Sequence, residues 1–167
     1  MISSNGSWDA NTNYICRKAS KRCWLLLRLK KLGASRKQLM TVYERQVRST
    51  LEMAVPAWHS SLSIKNKNKI ERQQKKAFTI ILGSQYKNYK DSLISLNQDT
   101  LQERRQIMTL KFAKKCLKDP RHQDMFPILD CKRPGTRQRK TFKEYQCRTK
   151  RFYNSALPFM TRTLNQE

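Results

Sequence analysis

Apolar residues recur along the chain at helical spacing, and the stripes they make outline four long helices. Between Thr12 and Leu32, Ile15, Ala19, Cys23, Leu26 and Leu29 share one face, which predicts an amphipathic helix stopped at Gly33. Ser35 suits an N-cap for a second helix from Arg36 to about Ala54, with Leu39, Val42, Tyr43, Val47, Thr50 and Ala54 inward and Pro56 ending it. Ser63 opens a third helix that runs to Leu82 and stops at Gly83. Its stripe is Ile70, Ala77, Phe78 and Ile81, with Gln73 and Gln74 on the turn where an aliphatic pair belongs. A connector bearing Tyr86 and Tyr89 and a short amphipathic turn (Leu93, Ile94, Leu96) lead to Thr100-Leu-Gln-Glu103, a capping box for a helix ending near Lys118. Asp119-Pro120 closes that helix, because the residue before proline avoids the helical region.

Four glycines and five prolines leave little material for hairpins, so the predicted class is all-α. The expected division is a flexible N-terminus over 1–11, a three-helix bundle over 12–83, a connector with a fourth long helix over 84–120, and a basic, largely irregular tail over 121–167. Between Cys131 and Arg151 nine basic residues meet one acidic residue and no period emerges. Ala156-Leu-Pro-Phe-Met160 regains apolar character and is expected to fold back.

Charge changes the picture more than any motif. Thirty-six Lys and Arg against twelve Asp and Glu leave a net charge of +24, which points to a polyanionic partner. Nucleic acid is the first candidate. A membrane surface is the weaker one, since no lipidation motif, signal pattern or long apolar run is present, and an intracellular protein of nucleus or cytoplasm is expected. Asp9 and Glu44 enclose a stretch without acids in which Arg17, Lys18, Lys21, Arg22, Arg28, Lys30, Lys31, Arg36 and Lys37 accumulate. Arg17, Lys21, Arg28 and Lys31 form one ridge opposite the apolar face, with Trp24 in its middle. Such an arrangement neutralises phosphates while a base or ribose packs on a ring. For Trp24 taken alone, packing on a neighbouring protein segment is the expectation, because large apolar residues are usually buried.

On the fourth helix Arg104, Lys111, Lys114, Lys115 and Lys118 occupy one arc, with Leu101, Met108, Phe112 and Cys116 on the other. Lys132, Arg133, Arg137, Arg139 and Lys140 give the tail the character of an arm that follows phosphates without choosing sequence. Chemistry finds no comparable support. The acids are scattered where two-metal phosphoryl transfer needs clustered carboxylates, and no Gly-rich phosphate loop, H-E-x-x-H or G-x-S-x-G is present. Five cysteines without a C-x-x-C pair and two histidines, His59 and His122, read as reduced thiols and structural imidazoles. No metal, cofactor or catalytic residue is assigned.

Several stretches together resemble one family. They include Lys18-Ala-Ser-Lys-Arg22, Leu29-Lys-Lys-Leu-Gly33, Val47-Arg-Ser-Thr-Leu-Glu52, Ala54-Val-Pro-Ala-Trp-His59, Gln74-Lys-Lys-Ala77 and Ile80-Ile-Leu-Gly83. Leu101-Gln-Glu-Arg-Arg105, Leu110-Lys-Phe-Ala-Lys-Lys-Cys116 and the run from Arg151 to Arg162 extend the likeness, which covers about 8–165. Their order resembles the region after the polymerase palm in reverse transcriptases of jockey-type non-LTR retrotransposons, with departures at Met53, Val55 and Gln73. The resemblance implies a thumb-like bundle that grips a primer–template duplex through its backbone. The catalytic palm of the parent RNA-directed DNA polymerase is expected upstream, so no enzymatic activity is assigned.

Within that reading Pro56, Trp58 and His59 form the corner between the second and third helices, Trp58 wedging between them and His59 capping or hydrogen-bonding nearby. DNA or an RNA–DNA hybrid is the expected partner, with RNA and a full-length reverse transcriptase as further ones. Two other readings stand beside binding: an interaction module anchored by Trp24 or the connector tyrosines, and a relic of a truncated element without function.

Overall fold

The computed structural model describes residues 7–129 and 141–166, and every regular element in them is helical. In chain order these are α1 (Asp9–Lys31), α2 (Arg36–Val42), a π-helical stretch (Tyr43–Arg48) leading into α3 (Ser49–Leu51), α4 (Val55–Trp58), α5 (Ile64–Leu82), α6 (Tyr89–Leu96), α7 (Leu101–Lys118), α8 (Lys150–Tyr153) and α9 (Ala156–Leu164). Short 3-10 turns occupy Gly83–Gln85 and Pro120–Met125. The all-α class is as the sequence predicts; among the described residues the one β pairing is an isolated bridge between Ile128 and Phe142. The chain divides into two compact units, the first running to Met53 and resuming over Leu62–Arg104, the second combining Ala54–Ser61 with the chain from Arg105 onward.

In the first unit α1 lies along α5. Asn66 Nδ2 donates to Asp9 Oδ1 at 2.7 Å, Lys69 Nζ to Asn13 Oδ1, Ser20 Oγ to Gln73 Oε1 at 2.9 Å, and Lys30 Nζ to the Ile80 carbonyl at 2.5 Å. Residue numbers rise together along both helices, so the two run parallel. Arg22 reaches from α1 to the Gln46 carbonyl (2.6 Å) and Thr50 Oγ1, joining the intervening helix to the seam. Ile15, Ala19, Cys23 and Leu26 are fully buried, as predicted, and face Ile70, Ala77, Phe78 and Ile81, which are buried too. Gly33 and Gly83 end their helices with φ of 84° and 60°, a backbone region in which a Cβ is strained. A Cβ at Gly83 would also meet the ammonium of Lys30 inside contact distance.

Local chemistry sets the helix starts. Ser35 and Gln38 make a reciprocal capping box, Ser63 Oγ accepts from the Asn66 N–H at 3.2 Å, and Thr100 with Glu103 repeats the box before α7. The π-helical stretch has a reason in spacing. Leu39, Tyr43, Val47 and Leu51 recur every four residues, which on an ideal helix drifts by about 40° per step. Widening the turn over Tyr43–Arg48 keeps all four buried on one face. The second helix ends at Leu51 rather than near Ala54, which is exposed and left-handed at φ 54°.

Gln74, where the stripe calls for carbon, is buried and fully used. Tyr43 Oη donates to its Oε1 at 2.9 Å, and its Nε2 donates to the Asp99 carbonyl at 2.8 Å. Acids carry the same joint outward. Glu71 accepts from the Leu101 N–H at 3.1 Å and from Tyr89 Oη, and Glu52 accepts from Arg104 Nε at 2.5 Å and Nη2 at 3.2 Å.

The expected corner falls in the second unit. Pro56 sits in the first turn of α4, where its missing N–H costs nothing, and Trp58 and His59 are buried. The rings of His59 and Phe159 pack edge to face with centroids 5.9 Å apart, and Ser61 Oγ donates to the Asn154 carbonyl at 2.8 Å, so the knuckle packs on the C-terminal segment. Ala113, Cys116, Phe126 and Met160 form the core beside them.

In the described part of the tail, α8 and α9 follow an irregular stretch that hydrogen bonds hold in place. Asn165 exchanges two hydrogen bonds with the backbone of Phe142, at 2.9 and 3.0 Å, and Tyr145 Oη donates to the Met125 carbonyl at 2.7 Å. On α7 the buried line is Leu101, Arg105, Thr109, Ala113 and Cys116, while Phe112 is exposed.

Two measurements check this account. Gln74→Leu, which strands the Tyr43 hydroxyl and the Asp99 carbonyl, is expected to lower unfolding free energy by about 2 kcal/mol in urea denaturation, with Tyr43→Phe recovering part of the loss in the double variant. Burial pushes the Cys23 thiol from its ordinary 9.0 up to about 11. A thiol whose pKa is raised by folding stabilises the native state below its unfolded pKa and loses that contribution as pH climbs from 9 to 11. Thermal melts across that window are expected to fall more steeply for the wild type than for Cys23→Ala.

Candidate nucleic-acid interface

The face of α1 turned away from α5 carries the chemistry. Once Ile15, Ala19, Cys23 and Leu26 are committed inward, the 100° step per residue places Arg17, Lys21, Trp24, Arg28 and Lys31 within an arc of about 80° on the opposite side. All five are exposed, and they extend over about 21 Å of helix at 1.5 Å per residue. Trp24 is 60% exposed, so the burial expected for a lone tryptophan does not occur. The guanidinium of Arg28 lies 5.1 Å from the centroid of its ring, a cation–π pair that holds the indole along the ridge.

A residue that the sequence reading left out joins them. Tyr14 is 40% exposed on the same face, with Lys18 Nζ 5.2 Å from its ring centroid. Both pairs, Tyr14 with Lys18 and Trp24 with Arg28, place the cation four residues after the ring. That spacing was the available signal.

Other predicted contacts have different employment. Arg36 Nη2 donates to the carbonyl and hydroxyl of Ser95, at 2.9 and 2.5 Å, tying the start of α2 to α6. Arg104 is held by Glu52, and that hydrogen bond raises the guanidinium above its ordinary pKa. These two are structural arginines. Lys37 is exposed at the start of α2, and Lys111 and Lys115 are exposed on the part of α7 belonging to the second unit. Lys132, Arg133, Arg137, Arg139 and Lys140 lie outside the described residues.

The connector tyrosine Tyr89, considered above as a docking anchor, stacks on Phe78 at 6.2 Å and carries Lys75 Nζ over its ring at 4.8 Å. It is spent within the first unit. Among the described residues, no three His, Cys, Asp or Glu side chains converge as a metal site, and no helix is long and apolar enough to cross a membrane. Compared with known proteins, the chain matches no family model, no curated protein and no solved structure.

The division of labour among the basic residues has a direct check. Replacing Arg17, Lys21, Arg28 and Lys31 together by Gln is expected to leave the melting temperature within a few degrees of wild type, since exposed charges contribute little. Arg104→Gln, which leaves Glu52 only its longer ion pair with Arg48 at 4.0 Å, is expected to cost about 1–3 kcal/mol in chemical denaturation.

Proposed function

We propose that the chain is a sequence-tolerant nucleic-acid-binding element, acting through the outward ridge of α1. The observation that carries this reading is the ridge itself: exposed cations in line, an exposed tryptophan among them, and no acidic residue anywhere between Asp9 and Glu44. Three acids of the first unit are engaged elsewhere, Glu44 with Arg48, Glu52 with Arg104 and Glu71 with the backbone of Leu101. The ridge therefore keeps its full positive field, and a field of this kind attracts phosphates whatever the sequence between them.

The resemblance gives the proposal a context: the thumb and C-terminal region of a jockey-type reverse transcriptase, contributing grip on a DNA or RNA–DNA duplex and no polymerisation of its own. The bundle of α1, α2 with its continuation, and α5 is compatible with a thumb, whose work is to present a basic helix face to a sugar–phosphate backbone. The docking alternative loses one of its anchors, because Tyr89 is already committed inside the first unit, and rests on the exposed Trp24.

Fluorescence anisotropy with a labelled RNA–DNA hybrid and the matching DNA duplex tests the reading over a series of salt concentrations. Four phosphate contacts predict a log–log salt slope of roughly −3 to −4, or about a hundredfold loss between 50 and 200 mM salt. The fourfold Gln variant is expected to lose most of this affinity and flatten the slope. Undiminished binding by that variant would remove α1 as the interface.

A further inference from the structure

Resting on the nucleic-acid reading, we infer that the α1 ridge takes an unpaired strand, with bases stacking on Trp24 and Tyr14 while the intervening cations hold its phosphates. Charge alone fits a duplex as well as a single strand. The rings are what discriminate. A paired base offers its flat face only at the end of a helix, whereas an unpaired base offers it at every position, and exposed aromatics in a basic track are how proteins hold single strands.

Both rings are mounted for that use. The cation four residues on lies over one face of each ring, 5.2 Å from the Tyr14 centroid and 5.1 Å from the Trp24 centroid, and fixes its orientation before any ligand arrives. With that cation in place Trp24 is still 60% exposed and Tyr14 40% exposed, so ring surface is left for a base. Ten residues separate the two, about 15 Å along the helix. The rings also stand about 80° apart around the helix, so the span takes at least four stacked nucleotides at about 3.4 Å each, and Arg17 and Lys21 fall between the rings, where the phosphates of such a stretch would run. The burial of Trp58 and the seating of Tyr89 against Phe78 show what this chain does with aromatic rings that it needs for packing. Among the described aromatic rings of the first unit, Trp24 and Tyr14 are the ones left exposed. In a primer–template the fitting ligand is the single-stranded template beyond the duplex.

The test titrates the full chain and two variants, Trp24→Ala and Trp24→Phe, against a labelled 20-nucleotide single strand and a blunt duplex of the same sequence, reading anisotropy and intrinsic tryptophan emission. The expected result is tighter binding of the single strand, quenching that Trp24→Phe abolishes, and about tenfold weaker single-strand binding in Trp24→Ala with duplex binding changed less than twofold. Trp24→Phe is expected to recover most of the affinity. Equal affinity for both ligands, or loss of affinity for both alike on removing the ring, would overturn the stacking inference and leave the nucleic-acid reading standing. Absence of binding to either ligand by the wild-type chain would overturn the nucleic-acid reading, and this inference with it.

Discussion

The amide of Gln74 is the joint on which the first unit closes. A polar side chain buried in the stripe of α5 obliges its neighbours to supply both a donor and an acceptor, and they come from opposite directions: the Tyr43 hydroxyl from the π-helical stretch and the Asp99 carbonyl from the loop before α7. An aliphatic residue would fill the space without selecting either neighbour, since dispersion contacts are non-directional. Directionality makes the amide a register pin. It holds Asp99 near α5, the adjacent Thr100–Glu103 box starts α7 there, and Glu71 receives the Leu101 N–H one turn further back along α5.

Acidic residues are the scarce component of this chain, and where they go decides what its surface is. Glu44, Glu52 and Glu71 all serve joints within the first unit, each satisfying a donor from another turn or another helix. Asp9 accepts from Ser7 and Asn66, which hold its carboxyl below the ordinary range and secure the start of α1 on α5. With these acids placed inward or at helix starts, the outward face of α1 is left without neutralising partners. The charged surface follows from how the interior was stitched.

Elements whose signal is local were legible in the sequence. The inner faces of α1 and α5, the caps at Ser35, Ser63 and Thr100, and the stops at Gly33 and Gly83 each rest on a few neighbouring residues, and each stands where pattern and capping chemistry put it. Features that depend on distant partners were not. Gln74 reads as a flaw in a stripe until Tyr43 and Asp99 stand beside it. Arg36 and Arg104 read as surface cations until Ser95 and Glu52 are seen to take them. Packing of the Pro56 knuckle on the C-terminal segment joins residues nearly a hundred positions apart, a relation that periodicity cannot express. At the candidate site the cationic ridge was legible from the wheel, whereas the seating of Arg28 on Trp24 and the membership of Tyr14 needed side-chain placement.

The contact between Lys30 and the end of α5 binds two positions into one unit of variation. The ammonium of Lys30 satisfies the last carbonyls of α5 through the space that Gly83 leaves empty. A side chain introduced at 83 would meet a left-handed backbone and displace the ammonium; a short residue at 30 would leave the Ile80 and Ile81 carbonyls without that donor and the space vacant. Neither position is free to change alone. Related chains that lose the lysine should be released from the glycine only if α5 ends by another route, so the pair at 30 and 83 constitutes an epistatic couple within an otherwise tolerant helix surface.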